Sequence, residues 1–144
     1  MKLEGILSIS GYGGLFKVLT KKKNGLIVEE LETKKRMQVN HNNFKVNILE
    51  SIEIFTYDDD LPLIDVFKNI YKKENGGKAI DKKSSSDDLK KYFYEVLENY
   101  DKERVYVSNI KKIISWYNIL HKKGIMKFEE EEEKKVKENT EESS

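Results

Sequence analysis

The sequence predicts an α+β chain in which a small SH3-like β-barrel or roll precedes a three-helix domain and an acidic tail. Three observations support this prediction. In residues 1–57, short apolar runs alternate with turn signals about every 8–12 residues, which is typical of a small all-β unit. In residues 58–128, apolar residues recur with helical spacing. Residues 129–144 hold one apolar residue and eight glutamates.

Six candidate strands divide the first 57 residues. Phe44, Val46 and Ile48 alternate with polar residues, which indicates a strand with one buried face. This short stretch has too little chain to cover both faces of a longer open sheet, so a small barrel is favoured. The predicted strands span residues 3–10, 14–20, 25–31, 36–40, 44–49 and 51–56.

The hairpin turns of this β unit would carry cations to both of its ends. Successive turns of an antiparallel meander lie at alternate ends, so the glycine turn at 11–14 shares an end with the turn at 32–35. Lysines 21–23 share the other end with the turn at 41–43. Cations beside an exposed aromatic ring are typical of surfaces that bind single-stranded nucleic acid, although lysines at hairpin tips also keep sheet edges soluble. The candidate nucleic-acid-binding residues of the β unit are Tyr12, Lys21, Lys22, Lys23, Lys34, Lys35 and Arg36.

Two helices are predicted in the first part of the helical domain. Leu63 begins an apolar pattern of helical spacing directly after Pro62, and the helix should end at Asn75-Gly76-Gly77. The second helix should begin after an N-cap at Ser86. Its apolar residues form one stripe, which predicts an amphipathic helix that extends to Tyr100: Leu89, Tyr92, Phe93, Val96, Leu97 and Tyr100.

The third predicted helix begins after an N-cap at Ser108 and ends before Gly124. Its apolar face carries Ile110, Ile113, Ile114, Tyr117 and Leu120, with Trp116 beside them. A helix-turn-helix arrangement would use the opposite, polar face to contact nucleic acid. The segment at 101–107 looks long for that motif, and a solvated helix face is the simpler interpretation. This face adds three candidate nucleic-acid-binding residues, Lys111, Lys112 and Lys122, and also holds Ser115 and Asn118.

The sequence lacks the residues that many catalytic and metal-binding sites require. Without cysteine the chain can form neither a disulfide nor a thiolate metal site. His41 and His121 lie far apart in the sequence, and the glycine turn is followed by a strand-like segment rather than by the helix of a phosphate loop. We therefore expect no cofactor, no metal and no catalytic residue, although a carboxylate enzyme remains an alternative. No apolar run could span a membrane and no signal-peptide core is present, so we expect a cytoplasmic protein without a membrane partner.

The net charge of +1 is an average over unlike segments. Residues 1–57 carry nine cations against six carboxylates, residues 58–128 fifteen against twelve, and residues 129–144 three against eight. The body is therefore basic, and the tail, which is too polar to bury surface, should be disordered. Such a tail would compete with an anionic ligand of the body, but a solubilising role is the simpler interpretation.

Several phrases resemble a family of uncharacterised Bacteroidota proteins. They include LEGILSISG at 3–11, GLFKVL at 14–19, GLIVE at 25–29, and RVYVSNIKKIISWYN at 104–118. The resemblance covers about residues 3–125. It implies a small β domain followed by a helical domain, both of unknown function, and it supplies no functional residues.

The functional expectation is a non-catalytic binding module whose partner is RNA or the ribosome. The alternative from a different class is a protein–protein adaptor or assembly factor that uses the apolar and aromatic helices. The oligomeric state is left open.

Overall fold

The computed structural model describes residues 3–40, 42 and 44–125. The predictions for the tail at 129–144, and for His41 and Asn43, lie outside the described residues. The strands are β1 (Ile6–Ile9), β2 (Tyr12–Lys22), β3 (Gly25–Glu30), β4 (Arg36–Asn40), β5 (Val46–Ile48), β6 (Glu53–Ile54) and β7 (Leu61–Pro62). The helices are α1 (Leu63–Lys73), α2 (Ser86–Val96) and α3 (Val107–Lys122), and a 3₁₀ turn spans Leu49–Ser51.

Five strands form one antiparallel sheet in the order β4-β3-β2-β1-β5. The first four strands follow one another as a meander, and β5 returns to pair with β1, with Ile9 opposite Val46. The edge strands β4 and β5 do not pair with each other among the described residues. The sheet is therefore open, and the predicted closed SH3-like barrel is not found. The last predicted strand, 51–56, contributes only β6, which pairs with β7 outside this sheet.

Each face of the sheet packs against a different cluster. Leu15 of β2 is fully buried in a large core that includes Phe67 of α1, Phe93 of α2 and Ile114 of α3. The adjacent Phe16 belongs to a smaller, separate buried cluster that includes Val28. Because the helices cover the face that carries Leu15, that face needs no further strand to bury its apolar residues.

The first two helices follow the predicted pattern with local differences. α1 ends as predicted, since Asn75 and Gly76 take φ values of +52° and +83° that a helix cannot continue. The N-cap of α2 is Ser85 rather than Ser86, and its Oγ accepts a hydrogen bond from the Asp88 N–H at 3.2 Å. The helix also ends earlier than the apolar stripe predicted. Tyr100 lies beyond it and forms an isolated β-bridge with Thr56.

The apolar face of α3 is buried as predicted. The helix begins at Val107, and the Asn109 side chain accepts a hydrogen bond from the Tyr106 N–H at 2.9 Å, so Ser108 is not the N-cap. No helix within the described ranges is long and apolar enough to cross a membrane.

Candidate nucleic-acid interface

A groove of about 280 Å³ separates the β1–β2 turn from the exposed face of α3. One wall carries Tyr12 at the start of β2, and the other carries Lys111 and Lys112 of α3. Lys82 and Trp116 also line this groove. We call this cavity the basic groove. Three elements distant in sequence thus bring three lysines and two aromatic rings to one cleft.

Helix α3 presents its lysines to the groove because its other face is held in the core. Ile110, Ile113 and Ile114 are almost completely buried. In a helix of 3.6 residues per turn, Lys111, Lys112 and Ser115 then lie on the flank that remains accessible. Lysine stems extend beyond such a helix surface and keep the ammonium group in water, where an anion can reach it.

Lys82 belongs to the connector between α1 and α2, which is fixed against α3. The Asn118 side chain accepts a hydrogen bond from the Ala79 N–H at 2.8 Å and donates one to the Ile80 carbonyl at 3.2 Å. The Tyr117 hydroxyl donates to the Gly77 carbonyl at 2.8 Å. Asn118 therefore holds the connector rather than reading a ligand, and the hydrogen bonds place Lys82 across from the lysines of α3.

Tyr12 is fixed by its neighbours and still accessible. Its ring meets Phe16 edge-on at 6.4 Å and Phe44 at a tilt at 6.0 Å, measured between ring centroids. The turn before it passes through Gly11, whose φ of +89° is the left-handed conformation that glycine adopts without strain. Tyr12 nevertheless leaves 46% of its surface exposed, so its ring is oriented before any ligand arrives.

Positive charge in the basic groove is not neutralised by the described part of the protein. No described carboxylate lines the groove. Within residues 3–40, 42 and 44–125, none of the three groove lysines has a carboxylate within ion-pair distance. The described lining of the groove therefore carries a net positive charge, which attracts anions.

Two of the other predicted cations, Arg36 and Lys122, already have carboxylate partners. Arg36 and Lys17 both lie near Glu29, at 3.4 Å and 3.5 Å between charged atoms. Desolvation alone would raise the pKa of Glu29, but the Arg36 hydrogen bond and the nearby Lys17 together hold it below its ordinary value. Lys122 lies 3.6 Å from Glu32. These cations are less available to a ligand than those of the basic groove.

The structure brings together three of the ten predicted residues, Tyr12, Lys111 and Lys112, in the basic groove. The three cations Lys34, Lys35 and Arg36 lie at the predicted end of the sheet, but they do not line the basic groove. Lys21 and Lys22 line a separate cavity of about 540 Å³ with an apolar floor, and Lys23 occupies the β2–β3 turn. Lys122 lies beside a neighbouring cavity.

Sequence reasoning missed Lys82 and Trp116. Lys82 lies in a polar connector without periodicity, and only the long-range hydrogen bonds of Asn118 reveal its position. Trp116 was assigned beside the apolar face of α3, but the structure leaves it partly exposed, and it lines the basic groove. The available signal was its position four residues after Lys112, which puts both side chains on the same flank of the helix.

The neighbouring cavity, of about 700 Å³, shares Gly13, Gly14, Lys82 and Ser115 with the basic groove. Its lining mixes cations with three carboxylates, each of which has a partner in the fold. Glu30 accepts from the Thr33 hydroxyl at 3.0 Å, Glu32 lies near Lys122, and Asp81 accepts from the Lys83 N–H at 2.7 Å. These contacts fix the positions of the three carboxylates.

Comparison with known proteins gives a consistent family assignment. Residues 3–49 match the model of a domain of unknown function, DUF5606, and residues 52–120 match that of a second, DUF6852. A solution NMR structure of a structural-genomics target from Bacteroides vulgatus is 46% identical in sequence, with a TM-score of 0.72. The similarity covers 88% of this chain and 91% of that chain. No curated protein matches the chain. The resemblance to two-domain Bacteroidota proteins is thus confirmed, and the chain belongs to the family in which DUF5606 is followed by DUF6852.

Proposed function

We propose that this protein is a non-catalytic module that binds single-stranded RNA, free or within the ribosome, through the basic groove. The observation that carries the proposal is a single groove lined by Lys82, Lys111 and Lys112 together with the half-exposed Tyr12. None of these lysines is neutralised by a described carboxylate, so an incoming phosphate replaces no existing ion pair of the described fold.

The chemistry of the groove suits a nucleic-acid strand. Lysine ammonium groups bind phosphates and release condensed counterions, which supplies affinity that is independent of sequence. An aromatic ring offers a stacking surface for a base, and such stacking accepts any base because each has a π-face. Only unpaired bases can use that surface, which favours a single strand over a duplex.

The test measures binding of fluorescently labelled single-stranded RNA by fluorescence anisotropy at several salt concentrations. Three lysine–phosphate contacts predict a slope of about −2 for log K against log [salt], at roughly 0.7 per contact. A duplex of the same sequence should bind more weakly, because it offers no free base face to Tyr12. Absence of binding at about 50 mM salt, or affinity unchanged by salt, would refute the proposal.

A protein adaptor is the second candidate, and an apolar groove of about 300 Å³ favours it. This groove lies between β6 and the N-terminal half of α3, on the other side of Lys112 and Trp116 from the basic groove. Phe55 and Tyr106 line it with 41% and 63% of their surfaces exposed, and the Arg104 guanidinium stacks 4.3 Å from the centre of the Phe55 ring. Aromatic residues and arginine dominate the binding energy of many protein interfaces.

Co-purification with and without nuclease separates the two functions. Partners lost after nuclease treatment support RNA binding, because they were held through the nucleic acid. A protein partner that survives nuclease and is released by Tyr106→Glu supports the adaptor function.

A further inference from the structure

The basic groove opens toward the end of the described chain. It shares Lys82 and Ser115 with the neighbouring cavity, which extends along α3 as far as Lys122. The described chain stops three residues later, at Ile125, whose N–H donates to the Leu120 carbonyl at 3.0 Å. The sequence beyond it contains five consecutive glutamates at 129–133. The most acidic run of the sequence therefore begins four residues after the end of the described chain.

We propose that the glutamate run at 129–133 occupies the basic groove when no RNA is bound, and so competes with RNA for the same lysines. The regulatory effect rests on the proposed function, because the tail can compete with RNA only if the groove binds RNA. The contact itself, between glutamates and groove lysines, is separate from RNA and has its own test.

Chain length permits the contact. Lys112 and Lys111 lie ten and eleven residues before Lys122, about 15–17 Å along the helix at 1.5 Å per residue. The glutamates lie four to eight residues beyond Ile125, which gives a reach of about 13–29 Å in an extended chain. The middle of the glutamate run therefore reaches the groove without stretching the whole segment.

Charge and position together favour the groove. Lys82, Lys111 and Lys112 line one cavity that no described carboxylate lines, and none of the three has an ion-pair partner among the described residues. A tethered run of carboxylates has an effective concentration in the millimolar range at a site within its reach. Individually weak ion pairs can then be populated at low salt, and they weaken as salt screens them.

Zero-length carbodiimide cross-linking of the full chain at low salt tests the contact without RNA. Cross-links should join residues 129–133 to Lys82, Lys111 or Lys112, as identified by mass spectrometry, and should decline at about 0.5 M salt. The adjacent lysines Lys90 and Lys91, on the exposed side of α2, are the matched control and should give few cross-links. Equal cross-linking at the groove lysines and at the control pair, or none at the groove, would overturn the inference.

Competition is tested by replacing all five glutamates of the full chain with glutamine. RNA affinity at about 50 mM salt should rise roughly threefold to tenfold. The gain should disappear when Lys111→Gln and Lys112→Gln are also present, because the tail would no longer have its site. RNA binding that is equal with and without the glutamates would overturn the competition while preserving the proposed function. If neither variant binds RNA, the proposed function fails, and the cross-links alone decide whether the tail contact exists.

Discussion

Replacing Lys111 and Lys112 together with glutamine should lower affinity for single-stranded RNA and reduce its salt dependence. Each lysine–phosphate contact on a single strand contributes about 0.7 to the salt slope, which corresponds to roughly 8-fold in affinity at 50 mM salt. We therefore expect a loss of about 60-fold if both lysines meet phosphates, and about 8-fold if only one does. The slope should change from about −2 to about −0.7 in the first case.

Fluorescence anisotropy with one labelled RNA at four salt concentrations measures both quantities. The matched control is Lys90→Gln with Lys91→Gln, which removes the same charge from two adjacent, exposed positions of α2 that do not line the groove. Circular dichroism should show that both variants remain folded. If the control loses as much affinity as the groove variant, binding depends on net charge alone, and the reasoning from the groove is refuted.

The remaining predictions concern the aromatic ring, the shared core, the connector and acid stability. Tyr12→Ala should lower RNA affinity about 5- to 150-fold while Tyr12→Phe keeps it, because stacking needs the ring and not the hydroxyl; equal loss in both variants would contradict stacking. Asn118→Ala should reduce the free energy of unfolding by about 1–3 kcal/mol in urea titrations, since the Ala79 N–H and the Ile80 carbonyl lose their partner, and an unchanged midpoint would contradict this role. Leu15→Ala should lower the free energy of unfolding by about 2–5 kcal/mol. The unfolding transitions followed by tryptophan fluorescence from α3 and by far-UV circular dichroism should still coincide. Separated transitions would show that the sheet and the helices do not share one core. The Arg104 hydrogen bond holds the pKa of Asp101 below its ordinary value. The ionised Asp101 therefore stabilises the fold fully above the pKa that it has in the unfolded chain, and this stabilisation is lost as pH falls through its pKa in the folded protein. Asp101→Asn should therefore lose less stability than the native protein between pH 5 and pH 2, and parallel pH profiles would contradict this assignment.

Local patterns predicted the helices well because the information lies within each element. The stripe of α3 is buried as its spacing indicated, and α1 ends where Asn75 and Gly76 allow a left-handed turn. The end of α2 was wrong for a physical reason. Apolar residues keep helical spacing through Tyr100, but this residue is buried by a bridge to Thr56 instead of a further helical turn.

Tertiary arrangement was harder to predict. The barrel was expected because the first 57 residues seemed too short to cover both faces of an open sheet. Leu15 shows what that reasoning omitted, since it packs in one core with Phe67 and Ile114 of the helices. A face covered by helices does not need a strand to close over it.

The candidate site was predicted only in part, because its residues come together only through tertiary packing. Tyr12, Lys111 and Lys112 were each selected from the sequence, but as members of different surfaces. Their convergence depends on α3 packing beside β2, a contact between segments about 100 residues apart. Lys82 is recognised only through the connector that Asn118 fixes.

The most direct test of the central claim is an NMR titration of the ¹⁵N-labelled full chain with single-stranded RNA at low salt. We expect the amide shifts to concentrate at residues 10–14, Lys82, Lys111 and Ser115, which border the basic groove. Shifts should be small at the β2–β3 hairpin tip, residues 21–23. Saturable shifts at that tip with none at the groove, or no shifts anywhere, would contradict the claim that the groove binds RNA.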